Sequence, residues 1–158
     1  MKRVLTTVLL FVAVFTAKAQ DEISKEDLTK YAKVMLAIDS LKAGVQDQTN
    51  DLVKNDPLMD GGRTFNAIKT ANGDEAKLAE AEITPEELAA YDSILVKIDE
   101  LKANFKEAYT SAIKDDLGAG LYNDIRKALK SDADLKTAYD EIVASLKEET
   151  VSEEESES

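Results

Sequence analysis

The stretch from Ile83 to Asp116 constrains the fold more than any other part of the chain. Its apolar residues recur every three or four positions for about eight turns of a helix with ~3.6 residues per turn. They are Leu88, Tyr91, Leu95, Ile98, Leu101, Phe105, Ala108 and Ala112. At its start, the Thr84 hydroxyl can accept from the Glu87 amide, and the Glu87 carboxylate from the Thr84 amide. The pattern therefore predicts one long amphipathic helix with a capping box.

The same pattern begins sixty residues earlier, at Ile23, with Ser24 in the place of Thr84. Its apolar positions are Leu28, Tyr31, Met35, Ile38, Leu41, Val45 and Leu52. Residues 38–43 nearly repeat as 98–103, and residues 65–71 align with 122–128 after a three-residue shift. Such self-similarity predicts an internal duplication, with repeat one at about 21–81 and repeat two at about 82–146.

These elements predict an all-α fold, a pseudo-symmetric helical bundle formed by residues 20–146 as a single domain. Each repeat contributes one long helix and short helices, and a last helix begins at Ser131 as N-cap. A long apolar stripe is stabilised by burial, and the best partner is a stripe of equal length. We therefore expect the two long helices to pack against each other in antiparallel orientation.

Residues 1–19 have the pattern of a signal peptide. Lys2 and Arg3 precede an apolar run from Val4 to Thr16, and residues 17–19 (Ala-Lys-Ala) form a small-x-small cleavage site. Cleavage would leave Gln20 as the first mature residue, with no transmembrane segment after it; the alternative is an uncleaved N-terminal anchor. The expected location is outside the cytoplasm: periplasmic or outer-membrane-associated, or fully secreted.

The charge balance is strongly acidic. The chain has 20 basic and 32 acidic residues, and loss of residues 1–19 would change the formal net charge from −12 to −15. Such a surface disfavours nucleic acid and anionic lipid as partners. Residues 147–158 are rich in glutamate and serine with little to bury, so we expect a disordered acidic tail.

No set of residues demands a particular chemistry. The sequence has no cysteine and no histidine, which removes thiol nucleophiles, the commonest general base and the commonest transition-metal ligand. No catalytic, cofactor-binding or metal-binding residue is expected, and the chain is not expected to be an enzyme.

Two pairs of repeated residues are candidates for a functional site. Asp39 and Asp99 stand at the same place in both repeats and could form a carboxylate pair for a hard cation or a shared proton. Alternatively they are polar edge residues paired with Lys42 and Lys102 on their own helices. Tyr31 and Tyr91 could line a ligand groove, or be buried residues with satisfied hydroxyls.

Part of the sequence resembles a known family. The run 120–128 (Gly-Leu-Tyr-Asn-Asp-Ile-Arg-Lys-Ala), residues 132–135 and the Leu88–Tyr91 opening are similar to an uncharacterised family of exported, all-helical bacterial proteins classed as a domain of unknown function. The resemblance covers most of residues 21–145, read as two tandem copies, and the first copy departs from the pattern by inserting residues 61–63. It implies a helical fold and an envelope or secreted address, and no activity.

We therefore expect a non-catalytic, exported helical protein that acts as a protein-interaction or scaffold module, with another envelope protein as its partner. The alternative is a periplasmic carrier or chaperone-like binder of a cation, small ligand or basic polypeptide in a groove between helices.

Overall fold

The computed structural model describes residues 23–156, with side chains described for 23–149; the predicted signal peptide lies outside this range. The described chain is all-α and contains no strand, as the sequence predicts. A 3-10 turn at Asp60–Gly62 precedes α2, and a π-helical turn at Ala112–Leu117 follows α4. The helices are α1 (Lys25–Lys54), α2 (Arg63–Ala71), α3 (Glu75–Glu80), α4 (Pro85–Ser111), α5 (Ala119–Ser131) and α6 (Ala133–Ser156).

The two long helices begin with the predicted capping boxes. The Asp27 amide donates to Ser24 Oγ at 3.1 Å, and the Ser24 amide donates to Asp27 Oδ2 at 3.3 Å. At the second helix the Glu87 amide donates to Thr84 Oγ1 at 3.2 Å, and the Thr84 amide donates to Glu87 Oε2 at 2.7 Å. Each box satisfies amides that have no partner inside the helix.

Replacing Thr84 by alanine is expected to lower the free energy of unfolding by about 1 kcal/mol, because the Glu87 amide loses its acceptor. Urea denaturation followed by circular dichroism measures the change. Thr137→Ala is the matched control, since the Thr137 hydroxyl donates within its own helix to the Ala133 carbonyl. Equal losses in the two variants would show that the cap contributes nothing specific.

The two long helices contact each other and run in opposite directions. Leu52 and Val53, near the end of α1, pack with Ile94 and Ile98 in the first half of α4. At the other end, the start of α1 packs with Leu117, just beyond α4. The antiparallel contact predicted from the equal lengths of the stripes is therefore present.

The core consists of two clusters, one at each end of this helix pair. The first is buried around Leu28, Tyr31, Leu117 and Ile125, and α6 covers it with Leu135, Ala138, Tyr139 and Ile142. The second is buried around Met59, Ile94 and Ile98, with Leu52, Val53, Phe65, Ala90 and Tyr91 packed against it. Met59 and Ile125 are 0% exposed. Burying one such side chain stabilises the fold by about 1.5–3 kcal/mol.

The turn after α1 depends on two glycines. Gly61 and Gly62 have φ values of 63° and 104°, in the left-handed region that side chains with a Cβ rarely adopt. A Cβ at Gly62 would lie 3.4 Å from the Val53 side chain. Both glycines thus lie in the turn that links Met59, in the second core cluster, to the start of α2 at Arg63.

The start of the last helix differs from the prediction. Asp132, rather than Ser131, is the cap: its Oδ1 accepts from the Leu135 amide at 2.9 Å. Ser131 is still the last residue of α5, and its hydroxyl donates to the Lys127 and Ala128 carbonyls. Asp132 is the first residue with extended backbone, which an N-cap requires.

The end of that helix differs as well. The backbone of α6 is helical to Ser156, whereas the sequence composition predicts a disordered acidic tail from residue 147. Glutamate and lysine are strong helix formers, and residues 147–156 contain no glycine or proline that would end a helix. Across residues 23–156, no helix combines the length and the apolar character that crossing a bilayer requires.

Candidate functional site

Tyr31 and Tyr91 lie in separate core clusters. Tyr31 is 6% exposed, and its ring stacks on Tyr122 with centroids 5.9 Å apart and meets Tyr139 edge-on at 5.7 Å. Tyr91 packs instead on Phe65, with ring centroids 4.8 Å apart. The two repeated tyrosines therefore line no common groove. Each packs in the core cluster at its own end of the bundle.

The cluster around Tyr31 is a network of tyrosines from four elements. The hydroxyl oxygens of Tyr109 and Tyr122 are 3.1 Å apart and share a hydrogen bond. Burial, with smaller effects of Tyr122 and Tyr139, raises the pKa of Tyr31 to about 12. The hydrogen bond to Tyr122 is the largest cause that raises the pKa of Tyr109, and burial raises that of Tyr139. The raised pKa values of Tyr31, Tyr109 and Tyr139 mean that these three hydroxyls stay protonated at neutral pH.

The two repeated aspartates have different surroundings. Asp99 Oδ1 accepts from Lys102 Nζ at 3.0 Å, and the side chains are 75% and 65% exposed. Asp39 lies close enough to Tyr139 that its charge contributes to raising the pKa of that tyrosine. Within the described residues no ion pair joins Asp39 to Lys42, and no hydrogen bond joins Asp39 to Asp99. Asp99 thus forms the ion pair with Lys102 on its own helix that the sequence predicts as the alternative to a carboxylate pair. An exposed ion pair of this kind contributes less than about 1 kcal/mol to stability.

In residues 23–149, no three acidic side chains come close enough together to hold a metal ion.

A groove of about 640 Å³ lies between the second half of α1 and the middle of α4; we name it the seam groove. Its apolar lining is Leu52, Leu101 and Pro57. Around these stand three carboxylates and one lysine, together with three side-chain amides. The charged residues are Asp51, Asp56, Glu100 and Lys97, and the amides are Gln48, Asn55 and Asn104. Its volume is within the range of about 300–1,000 Å³ that is typical of ligand clefts.

The seam groove is open because the other helices pack elsewhere. α5 and α6 pack on α1, and α2 packs on α4. Leu41, two turns before Gln48 on the same face of α1, is 46% exposed and lies outside the residues that line the groove. The rim is partly fixed, because Asp56 Oδ1 accepts from the Leu58 amide at 2.9 Å.

A second groove, of about 650 Å³, separates the first turns of α1 from α6. Leu28, Leu135 and Ile142 line it, so its walls belong to the first core cluster. The lining of this second groove includes Ile23, which is the first residue that the structure describes.

The seam groove is not predicted by the sequence pattern. Leu52 and Leu101 belong to the apolar stripes, and a stripe does not reveal which of its edges will be covered. The acidic residue that precedes each leucine does not distinguish them, because Leu28 and Ile125 also follow an aspartate and are 2% and 0% exposed.

The family model described as Domain of unknown function (DUF4168) matches residues 24–138. The chain belongs to this family. The DUF4168 match begins at the Ser24 cap of α1, ends within α6 and spans both halves once, so the prediction of two tandem copies is wrong. The physical reason is that α1 and α4 pack against each other, and each core cluster takes residues from both halves. One half is therefore not a complete DUF4168 domain. No curated protein and no solved structure matches the chain.

Proposed function

We propose that this DUF4168 protein is a non-catalytic protein-interaction or scaffold module of the cell envelope. The seam groove carries the proposal: an apolar cleft with a polar rim stays open on the two longest helices of the bundle. Exposed apolar surface with a polar rim is typical of protein-binding sites. Outside the groove, Leu41 is 46% exposed although it belongs to the apolar stripe of α1.

A non-catalytic role is supported by the side chains that are available. Acid–base chemistry would depend on aspartate, glutamate, lysine or tyrosine, because the chain has no histidine and no cysteine. The most buried tyrosine, Tyr31, has a pKa of about 12, far from the neutral range in which a general base works.

The envelope address is supported by residues 1–19. A charged start, an apolar run and an Ala-Lys-Ala site occur in the order that signal peptidase recognises. The expected result is a mature chain that begins at Gln20 and is recovered outside the cytoplasm. N-terminal sequencing of the protein from fractionated cells measures both. A chain that keeps Met1–Ala19 and stays in the cytoplasm would contradict this part of the proposal.

The second candidate function, a chaperone-like binder of basic polypeptides, is favoured by the charge of the same groove. Three carboxylates and one lysine surround its apolar lining. The two candidates share a surface and differ in whether the partner is one envelope protein or many unfolded chains.

We also propose that the single domain is internally pseudo-symmetric, the product of a duplicated unit. Pairs of aligned residues support this: Ile38 and Ile98, Ile68 and Ile125, and Ala71 and Ala128 are all buried. The aromatic contacts cross between halves in the same way. Tyr31 of the first half packs on Tyr122 of the second, and Tyr91 of the second half packs on Phe65 of the first.

The interaction role is tested by photo-cross-linking in the cell. A photoreactive amino acid replaces one exposed residue at a time at several positions over the surface, and products are identified by mass spectrometry. We expect one recurrent envelope protein as the main product; recurrent capture of many unrelated chains would support the chaperone-like role instead. Absence of cross-links from every position would contradict both roles.

A further inference from the structure

The seam groove has an unequal charge balance at its rim. Asp51, Asp56 and Glu100 oppose the single cation Lys97, which leaves a formal charge of −2 around an apolar floor. The residues of the groove come from two turns of α1, the loop that follows it and two turns of α4. An occupant must therefore bring apolar side chains for the floor and positive charge for the rim.

The three amide side chains of the groove are free to bind an occupant. Gln48, Asn55 and Asn104 make no side-chain hydrogen bond to another residue of the described part of the chain. A side-chain amide both donates and accepts, so each can pair with the backbone of a bound segment. Since Asp56 is held by the Leu58 amide, one of the carboxylates keeps its position before binding.

Resting on the function proposed above, we propose that the seam groove binds a basic segment of another protein. Apolar side chains of that segment cover Leu52 and Leu101, and its lysines or arginines pair with Asp51, Asp56 and Glu100. Charge complementarity selects this occupant. A second copy of this chain carries the same net charge of −12 and is repelled, as is an acidic protein.

The chemistry is tested with two synthetic peptides of roughly twelve residues, a length that spans a helix groove. Both carry the same leucines; one has lysines between them, and the other has glutamates at those positions. Fluorescence anisotropy with the mature chain is expected to show saturable binding of the lysine peptide, weakened by salt, and no binding of the glutamate peptide. Equal binding of both peptides, or binding of neither, would overturn the proposal.

The location is tested with two double variants of equal charge. Asp51→Asn with Glu100→Gln neutralises the rim, whereas Asp92→Asn with Glu107→Gln neutralises two exposed carboxylates of α4 outside the groove. The rim variant is expected to raise the Kd of the lysine peptide by about five- to thirtyfold, since each exposed ion pair contributes up to about 1 kcal/mol. The control should change the Kd by less than about twofold. Equal weakening by both variants would show that the peptide responds to net charge alone, and no effect of either would show that it binds outside the rim; each result would reject the seam groove as the site.

Cross-linking in the cell separates this inference from the proposed function. The photoreactive residue replaces Gln48 in the groove or Asp124, which is exposed on α5. Products from position 48 that disappear in the rim variant support the inference. Products from position 124 alone would leave the interaction function standing and reject the seam groove as its site. Absence of products from both positions would reject the inference, whereas the proposed function falls only if every other exposed position tested also gives none.

Discussion

Replacing Ile125 by alanine is expected to lower the free energy of unfolding by about 2–5 kcal/mol, the range for large-to-small changes in a packed core. Ile125 is 0% exposed and lies where α5 meets Leu28, Tyr31 and Leu117. Removing its outer carbons leaves a cavity between α1, α5 and the π-helical turn, and these elements relax only partly. Urea denaturation followed by circular dichroism measures the loss.

Val96→Ala is the control for that variant. Val96 lies on α4 and is 60% exposed, so shortening it removes little buried surface and should change stability by less than about 0.5 kcal/mol. A stability of the Ile125 variant within that margin of the wild type would show that the first core cluster contributes much less than its burial implies.

The Ile68→Ala variant extends this test to the proposed pseudo-symmetry. Ile68 aligns with Ile125, is 5% exposed and lies on α2, the short helix of the first half. Because the two residues hold equivalent positions under the proposal, a loss in the same range of about 2–5 kcal/mol is expected. A loss below about 1 kcal/mol, with Ile125→Ala in its expected range, would argue against equivalent roles for the two halves.

The starts of the long helices could be predicted from sequence because capping is a local interaction. Ser24 with Asp27, and Thr84 with Glu87, are three residues apart, and no distant part of the chain is needed to bring them together. The last helix shows the limit of this reasoning. Whether Ser131 or Asp132 caps α6 depends on where α5 ends, which the pattern of residues 131–134 does not reveal.

The partners of the candidate residues could not be predicted in the same way. The pattern indicated burial for Tyr31 and Tyr91, but their contacts are set by where α2, α5 and α6 pack. Asp39 and Asp99 hold equivalent sequence positions and differ because α6 comes close to Asp39, whereas Asp99 pairs with Lys102 at the surface. The two halves differ here in their last helix. That helix is α6 in the second half, with 24 residues, and α3 in the first half, with six.

The seam groove could not be predicted for a related physical reason. A stripe of apolar residues indicates which face of a helix is buried, and stripes of equal length predict contact between the two long helices along the whole stripe. Two helical cylinders touch along a narrow line, so residues at the edge of each stripe need a third helix to cover them. At Leu52 and Leu101 that third helix is absent from the described bundle, and the edges form a groove instead.

The second large effect is expected at alkaline pH, where the buried Tyr31 should make folding depend on pH. Burial raises its pKa from about 10 to about 12, because the folded state favours the neutral hydroxyl. The stabilisation is therefore present in full below about pH 10 and is lost as the pH rises through about 12. A shift of about two units corresponds to a loss of roughly 2–3 kcal/mol.

Tyr31→Phe keeps the ring contacts with Tyr122 and Tyr139 and removes the group that ionises. Comparing urea denaturation at about pH 9 and about pH 11.5, we expect the variant to lose less stability than the wild type, since it has no buried tyrosinate to form at this position. Tyr91→Phe removes a hydroxyl from the other cluster, keeps Tyr31 and should follow the wild type. The other ionisable side chains are the same in the wild type and the Tyr31 variant, so their effects cancel in that comparison. Equal losses in the wild type and the Tyr31 variant would mean that the tyrosine cluster admits water and that burial does not hold Tyr31 in its protonated form.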